Sequence, residues 1–123
     1  MQFEIGQKFF FDAAHTLDRD IETLGSRRIH GHTYWCEVAL KGKPDAQTGM
    51  VLDLGQVRLE IESIKNQLDH HFLDEVAGLG APTLENLCAF IWRDLLPKLP
   101  QLSKVRVWRD SIADSCTLTR DGA

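Results

Sequence analysis

Three histidines in this chain are spaced so that they can act together. His30 and His32 have only Gly31 between them. In a β-strand, side chains alternate between faces, so both rings would point the same way. His15 closes a second strand-like run, Phe9-Phe10-Phe11-Asp12-Ala13-Ala14-His15. Three imidazoles without a fourth protein ligand describe a catalytic metal site better than a structural one, because the fourth position stays open to water or substrate. Imidazole also suits iron, nickel and copper, so geometry and abundance, rather than ligand type, favour zinc. Three neutral ligands leave the cation its full charge, which can lower the pKa of a bound water or polarise a hydroxyl or carbonyl.

A second group, Asp69-His70-His71, follows a helical pattern and sits in a turn. An adjacent carboxylate can orient an imidazole and stabilise its charged form, giving a proton-transfer pair. A histidine at a helix end that answers the helix dipole is the competing reading, and spacing does not choose between His70 and His71. Arg27 and Arg28 precede the histidine pair; they can hold an anionic group beside the metal or be solvated. Ser26, in the same polar stretch, is either solvated or close to the chemistry. Arg109 and Asp110 end a strand and either face a pocket or form a surface ion pair. Trp35, Trp92 and Trp108 read as core or interface residues.

Hydrophobic periodicity supplies the elements that must position these groups. Residues 2–15 read as a strand with Phe3, Ile5, Phe9, Phe11, Ala13 and His15 on one face, and Phe10 breaks the alternation. Residues 16–29 read as a polar, irregular loop, a length that is often functional in a compact domain. Residues 30–41 read as a second strand presenting His30, His32, Tyr34, Cys36, Val38 and Leu40 on one face. Asp53 is the expected N-cap of a helix, with Gln56 completing a capping box and Leu54, Val57, Ile61, Ile64 and Leu68 forming its apolar stripe. Thr83 is the expected N-cap of a second helix with Leu84, Leu87, Cys88, Ile91 and Leu95 inward, ended by Pro97 and Pro100. Val105–Trp108 and Cys116–Thr119 read as the last two strands. The order β-β-α-α-β-β implies an α+β domain, a four-stranded antiparallel sheet with two helices on one face. No linker or repeat divides residues 1–123, so a single domain is expected. The two open sheet edges favour oligomerisation.

The bulk composition narrows the partners. A formal charge of −4 without a lysine–arginine stripe disfavours a nucleic-acid partner. Three cysteines, Cys36, Cys88 and Cys116, without a Cys-x-x-Cys spacing, argue against a disulfide framework and for a reducing cytoplasm; they read as packing residues. No signal peptide is visible at the first residues, and no apolar run is long enough for a membrane span.

Taken in order, Phe11-Asp12-Ala13-Ala14-His15, Arg28-Ile29-His30-Gly31-His32, Gly49-Met50-Val51-Leu52-Asp53-Leu54, Leu68-Asp69-His70-His71 and Pro82-Thr83-Leu84-Glu85-Asn86 resemble the 6-pyruvoyl-tetrahydropterin synthase and 6-carboxytetrahydropterin synthase family. The chain's length resembles the short bacterial carboxytetrahydropterin synthases of the queuosine pathway. The resemblance implies the tunnelling fold, with trimers whose sheets join into a barrel, often paired into hexamers, and active sites between subunits. It implies Zn2+ held by His15, His30 and His32, and 7,8-dihydroneopterin triphosphate as substrate. A cysteine removes a proton in that family, and an Asp–His pair that maps to Asp69 and His70 relays protons. The carboxytetrahydropterin branch also releases acetaldehyde and triphosphate. Arg28, Glu85, Arg109 and Asp110 are the substrate-binding candidates.

Two positions depart from the family pattern. The family cysteine, four residues before the first histidine of the pair, is Ser26 here, and a serine hydroxyl is a far poorer base than a thiolate. The glutamate that clamps the pterin ring near the end of the third strand is replaced by Arg109, which cannot accept the ring's N–H donors, whereas Asp110 could. These departures imply a changed substrate, a changed chemistry, or a catalytically silent, metal-containing pterin-binding or regulatory paralogue.

Overall fold

The computed structural model of the chain describes residues 1–21 and 23–120, apart from the side chains of Thr23 and Ser26. Strands β1 (Phe3–His15), β2 (His30–Gly42), β3 (Leu102–Arg109) and β4 (Asp114–Thr119) form one antiparallel sheet in the order β1-β2-β3-β4. Helices α2 (Leu54–Leu68) and α3 (Leu84–Leu95) cover one face, α2 against β1 and α3 against β3 and β4. This is the expected α+β architecture with the expected element order.

Strand parity decides which residues enter the core. Phe9, Phe11, Ala13 and His15 of β1 are buried on the helix side, as are Tyr34, Cys36, Val38 and Leu40 of β2. Phe11 pairs with Tyr34 across the strands, and their rings stack with centroids 5.1 Å apart. Val57, Ile61, Ile64 and Leu68 of α2 and Leu87, Cys88, Ile91 and Leu95 of α3 close over this layer. Leu54 and Leu84 pack at its margin and are only partly buried. The register shifts between Ala39 and Leu40, where Ser103 on β3 is the extra residue; its hydroxyl donates to the Ala39 carbonyl at 3.1 Å.

Several details differ from the sequence expectation. The loop over residues 16–29 contains a short helix, α1 (Thr23–Arg27), and β3 and β4 begin earlier than their apolar cores. Asp53 caps α2 by accepting from the Gly55 N–H at 2.8 Å, but Gln56 turns away and donates to Glu60, so no reciprocal box forms. Thr83 caps α3 by accepting from the Asn86 N–H. The sheet's other face, without helices, carries a row of Phe10, Trp35 and Trp108, the two tryptophans stacked and Phe10 tilted against Trp35, with Arg106 over Trp108 and Lys104 between Glu4 and Glu37. Phe10 belongs to that face, which explains why it breaks the apolar alternation of β1. Among the described residues, no helix is long and apolar enough to cross a membrane.

Candidate metal centre and its surroundings

The β1–β2 register builds the histidine cluster. His15 pairs directly with His30, and His32 pairs with Ala13, two residues back along β1. Their rings therefore converge on the helix side of the sheet's end, with centroids 4.4 Å apart for His15–His30 and 5.1 Å for each of the other two pairs. One nitrogen from each ring lies within 4.8 Å of the others.

The nitrogens are chemically suited to a cation. His15 is only 2% exposed, and both its ring nitrogens, with Nε2 of His32, are buried without a hydrogen-bond partner among the described residues. A buried polar atom left without a partner is costly and points to a missing ligand. Burial, reinforced by His30, His32 and Arg109, lowers the pKa of His15 to about 4. Burial and Arg109 also lower that of His32. Both rings are therefore neutral at neutral pH, the form that ligates a metal. His30 Nδ1 lies 2.7 Å from the Arg28 carbonyl. A carbonyl can only accept, so Nδ1 carries the proton and Nε2 keeps its lone pair for a ligand. Arg28 thus acts here through its backbone, and its side chain is exposed.

A cavity of about 640 Å³ opens from this cluster, lined by His15, His30, His32, Gly25, Arg109 and Asp114 among others. A smaller one of about 190 Å³ continues past His15 to Tyr34, Thr83, Glu85, Arg109 and Asp114. Arg109 donates from Nε to Asp114 Oδ1 at 3.0 Å and from Nη2 to Oδ2, a bidentate pair across β3 and β4. That hydrogen bonding holds the Asp114 carboxyl below its usual range and raises the Arg109 pKa. Asp110 is exposed beyond the end of β3 and is not among the residues lining the histidine cavity. The carboxylate beside Arg109 is Asp114, which the sequence reading missed. Its cue was the five-residue step from Arg109, which only a hairpin pairing turns into contact. Asp74 was missed too. It accepts from the N–H and hydroxyl of Thr16 and fixes the chain as it leaves His15.

The Asp69–His70 pair occupies a different cavity. Asp69 Oδ1 accepts from the Asp12 N–H at 2.9 Å, and the His70 N–H donates to the Asp12 carbonyl at 2.7 Å, pinning the turn after α2 to β1. His70 has a positive φ of 58° and leaves its ring 80% exposed, with Nε2 3.6 Å from Asp69 Oδ2. It lines a cavity of about 550 Å³ with Asp12, Gly31, His32 and Thr33. His32 borders both cavities, and His70 is not among the residues lining that of the histidine cluster. Ser26 falls in α1, but its side chain lies outside the described residues; its neighbour Gly25 lines the histidine cavity.

The sequence profile of the 6-pyruvoyl tetrahydropterin synthase family matches residues 4–121. The chain belongs to that family. Within it, a 6-carboxy-5,6,7,8-tetrahydropterin synthase from Synechocystis is 33% identical over 96 residues, 74% of this chain and 73% of that protein. A dihydroneopterin monophosphate aldolase from Pyrococcus furiosus is 29% identical over 88% of this chain and 90% of its own. The Caenorhabditis elegans 6-pyruvoyl tetrahydropterin synthase structure superposes with a TM-score of 0.85 at 24% identity, covering 97% of this chain and 96% of that one, a likeness of fold. The 6-pyruvoyl tetrahydropterin synthase fold thus holds a three-histidine cluster here while placing arginine, paired with aspartate, beside it.

Proposed function

We propose that residues 1–123 form a single-domain, zinc-dependent synthase or lyase acting on a phosphorylated 7,8-dihydroneopterin or a closely related pterin. The observation that carries this reading is the convergence of His15, His30 and His32, with orphaned nitrogens, in a chain of the 6-pyruvoyl tetrahydropterin synthase family. Relatives named for a carboxytetrahydropterin synthase and for a monophosphate aldolase support pterins as the substrate class and leave the bond that breaks open to variation. Cytoplasmic, queuosine-type pterin metabolism is the setting we favour.

His15, His30 and His32 would hold the zinc, which when bound supplies the positive charge that polarises substrate oxygens and acidifies neighbouring C–H bonds. The chain's own groups do the rest. The Arg28 carbonyl sets the His30 tautomer. Asp69 faces Nε2 of the His70 ring, which leaves the exposed Nδ1 to take and return a proton. The exposure of that ring, away from its own histidine cavity, supports an assembly of trimers or paired trimers in which the Asp69–His70 pair of one subunit serves a neighbour's site. Glu85 and Arg109 would contact the ligand from the walls of the smaller cavity. Ser26 stands at the family's base position, and a serine hydroxyl is a far poorer base than a thiolate, so the proton falls to His70 and the standard reaction is slow. A silent pterin-binding paralogue is the second reading, favoured by the same serine and by Arg109.

The test is incubation of zinc-loaded protein with dihydroneopterin triphosphate and with the monophosphate, following carboxytetrahydropterin, pyruvoyltetrahydropterin, side-chain cleavage and triphosphate release. Turnover in one channel, increased by Ser26→Cys, is the expected result. No product from either substrate, with or without Ser26→Cys, overturns the synthase reading and leaves the silent one.

A further inference from the structure

We infer that Arg109 and Tyr34 form an oxyanion subsite beside the histidine cluster, which takes a carboxylate or phosphate group of the substrate. The inference deepens the proposed function, and rests on its reading of the histidine cavity as the place where substrate binds.

Arg109 borders both cavities that meet at His15, so its guanidinium faces whatever occupies them. Its side chain is 15% exposed. Asp114 takes Nε and one Nη2 hydrogen from one side and fixes the plane of the group. A guanidinium carries five N–H donors and no acceptor, so the remaining edge can only donate. Tyr34 is 1% exposed, lines the smaller cavity and lies beneath Arg109, whose guanidinium carbon is 6.0 Å from the ring centroid. The Tyr34 hydroxyl is buried against Arg109, from whose N–H it can accept, and no acceptor for its own proton lies within reach among the described residues. Beside a group that only donates, that hydroxyl gains most by donating to the same incoming acceptor.

The acceptor's class follows from charge. Asp114 offsets Arg109, and the three imidazoles that would hold the cation bring no charge, so with a divalent ion this end of the cavity is net positive. A planar guanidinium held rigid by one carboxylate presents a second carboxylate- or phosphate-shaped edge, for which arginine is better suited than any other side chain. Glu85, on the wall formed by the start of α3, gives the smaller cavity an opposite pole that accepts N–H groups. The two poles favour a ligand with an oxyanion toward β3–β4 and N–H donors toward Thr83–Glu85.

The test is calorimetric titration of zinc-loaded protein with inorganic phosphate and, separately, with acetate. Binding of at least one probe is expected, with Arg109→Gln weakening it by about tenfold or more and Tyr34→Phe by a smaller factor. Zinc content should be unchanged in both variants. The stronger probe names the group: phosphate for a phosphorylated substrate, acetate for a carboxylic acid. Equal affinity in wild type and Arg109→Gln, or no binding of either probe to wild type, overturns the subsite. Should Arg109→Gln fail to fold, Arg109→Lys takes its place; it keeps the charge and loses the fork, and an unchanged affinity in both Arg109→Lys and Tyr34→Phe overturns the subsite equally. Turnover of dihydroneopterin phosphates with Arg109-independent anion affinity would sink the subsite alone. Arg109-dependent affinity without turnover would sink the synthase reading alone.

Discussion

His15 is the residue at which burial and chemistry conflict most sharply. Its ring is packed among His30, His32 and Tyr34, and charging it would place a cation at a largely desolvated position. A metal ion held there would relieve this, because a ligating imidazole stays neutral. His30→Ala should therefore abolish stoichiometric zinc after purification, read by elemental analysis; full zinc content would remove the site assignment. The metal-free protein should show the conflict as acid sensitivity. The unfolded chain takes up the His15 proton near pH 6.5, whereas the folded chain refuses it until about 4. The unfolded state thus binds more protons within that window, and stability falls as pH drops from 6.5 towards 4. Above 6.5 the His15 contribution is complete and flat. Melting curves of metal-free wild type and His15→Leu across this range would check it; identical slopes would count against the argument. The histidine convergence was legible from parity, since residues 15, 30 and 32 needed only an antiparallel β1–β2 pair. Tyr34 lay on the same face in the sequence, but nothing there could say that its buried hydroxyl would lie against Arg109 with no acceptor for its own proton among the described residues.

At the scale of elements, the turn after α2 is secured by β1 rather than by its own sequence. Asp69 and His70 both bond to the backbone of Asp12, and the His71 carbonyl accepts from the Ala14 N–H. Asp69→Ala should cost about 1–3 kcal/mol, the range for stranding a part-buried N–H that had a charged acceptor, measured by urea denaturation. Asp69→Asn, which retains an acceptor oxygen, should cost less; equal losses would mean the bond to Asp12 is not what matters. The long strands and helices were legible because each repeats its apolar period several times. The short α1 was not, because five residues offer no period, and helices that short gain little from their own hydrogen bonds. The capping box was over-read at Gln56 because Glu60, one turn on, competes for its amide. Asp110 was over-read because a one-residue step along a strand changes face, and it lies past the strand's end, in the turn.

At the scale of the molecule, β1 and β4 are open edges of one sheet, and among the described residues no helix or strand covers the aromatic row on the other face, over which only the side chains of Lys8, Lys65 and Arg106 lie. Both features are consistent with assembly by edge pairing, which satisfies strand N–H and C=O groups and encloses that face. Light scattering should give the mass of a trimer or of two trimers, and dilution to monomer should reduce turnover together with mass. A monomer that retains full activity would rule out a site shared between subunits. The fold and its helix-covered face were legible in one chain's sequence. The separation of the Asp69–His70 turn from the histidine cavity was not, because it depends on how β1 carries Asp12 and His15 to different places along one strand.

The Arg109–Asp114 pair also constrains how this lineage can change. The two residues face each other across β3 and β4, so a glutamate at position 109 would meet an aspartate of the same charge. Like charges directly opposite on a sheet destabilise it. A carboxylate at position 109 therefore requires Asp114 to be neutralised, for example by Asp114→Asn, and Arg109→Glu alone should be less stable than Arg109→Glu combined with Asp114→Asn. The hairpin acts as a ratchet: the charge tolerated at position 109 is set by the one at position 114, so the two can be exchanged only in that order.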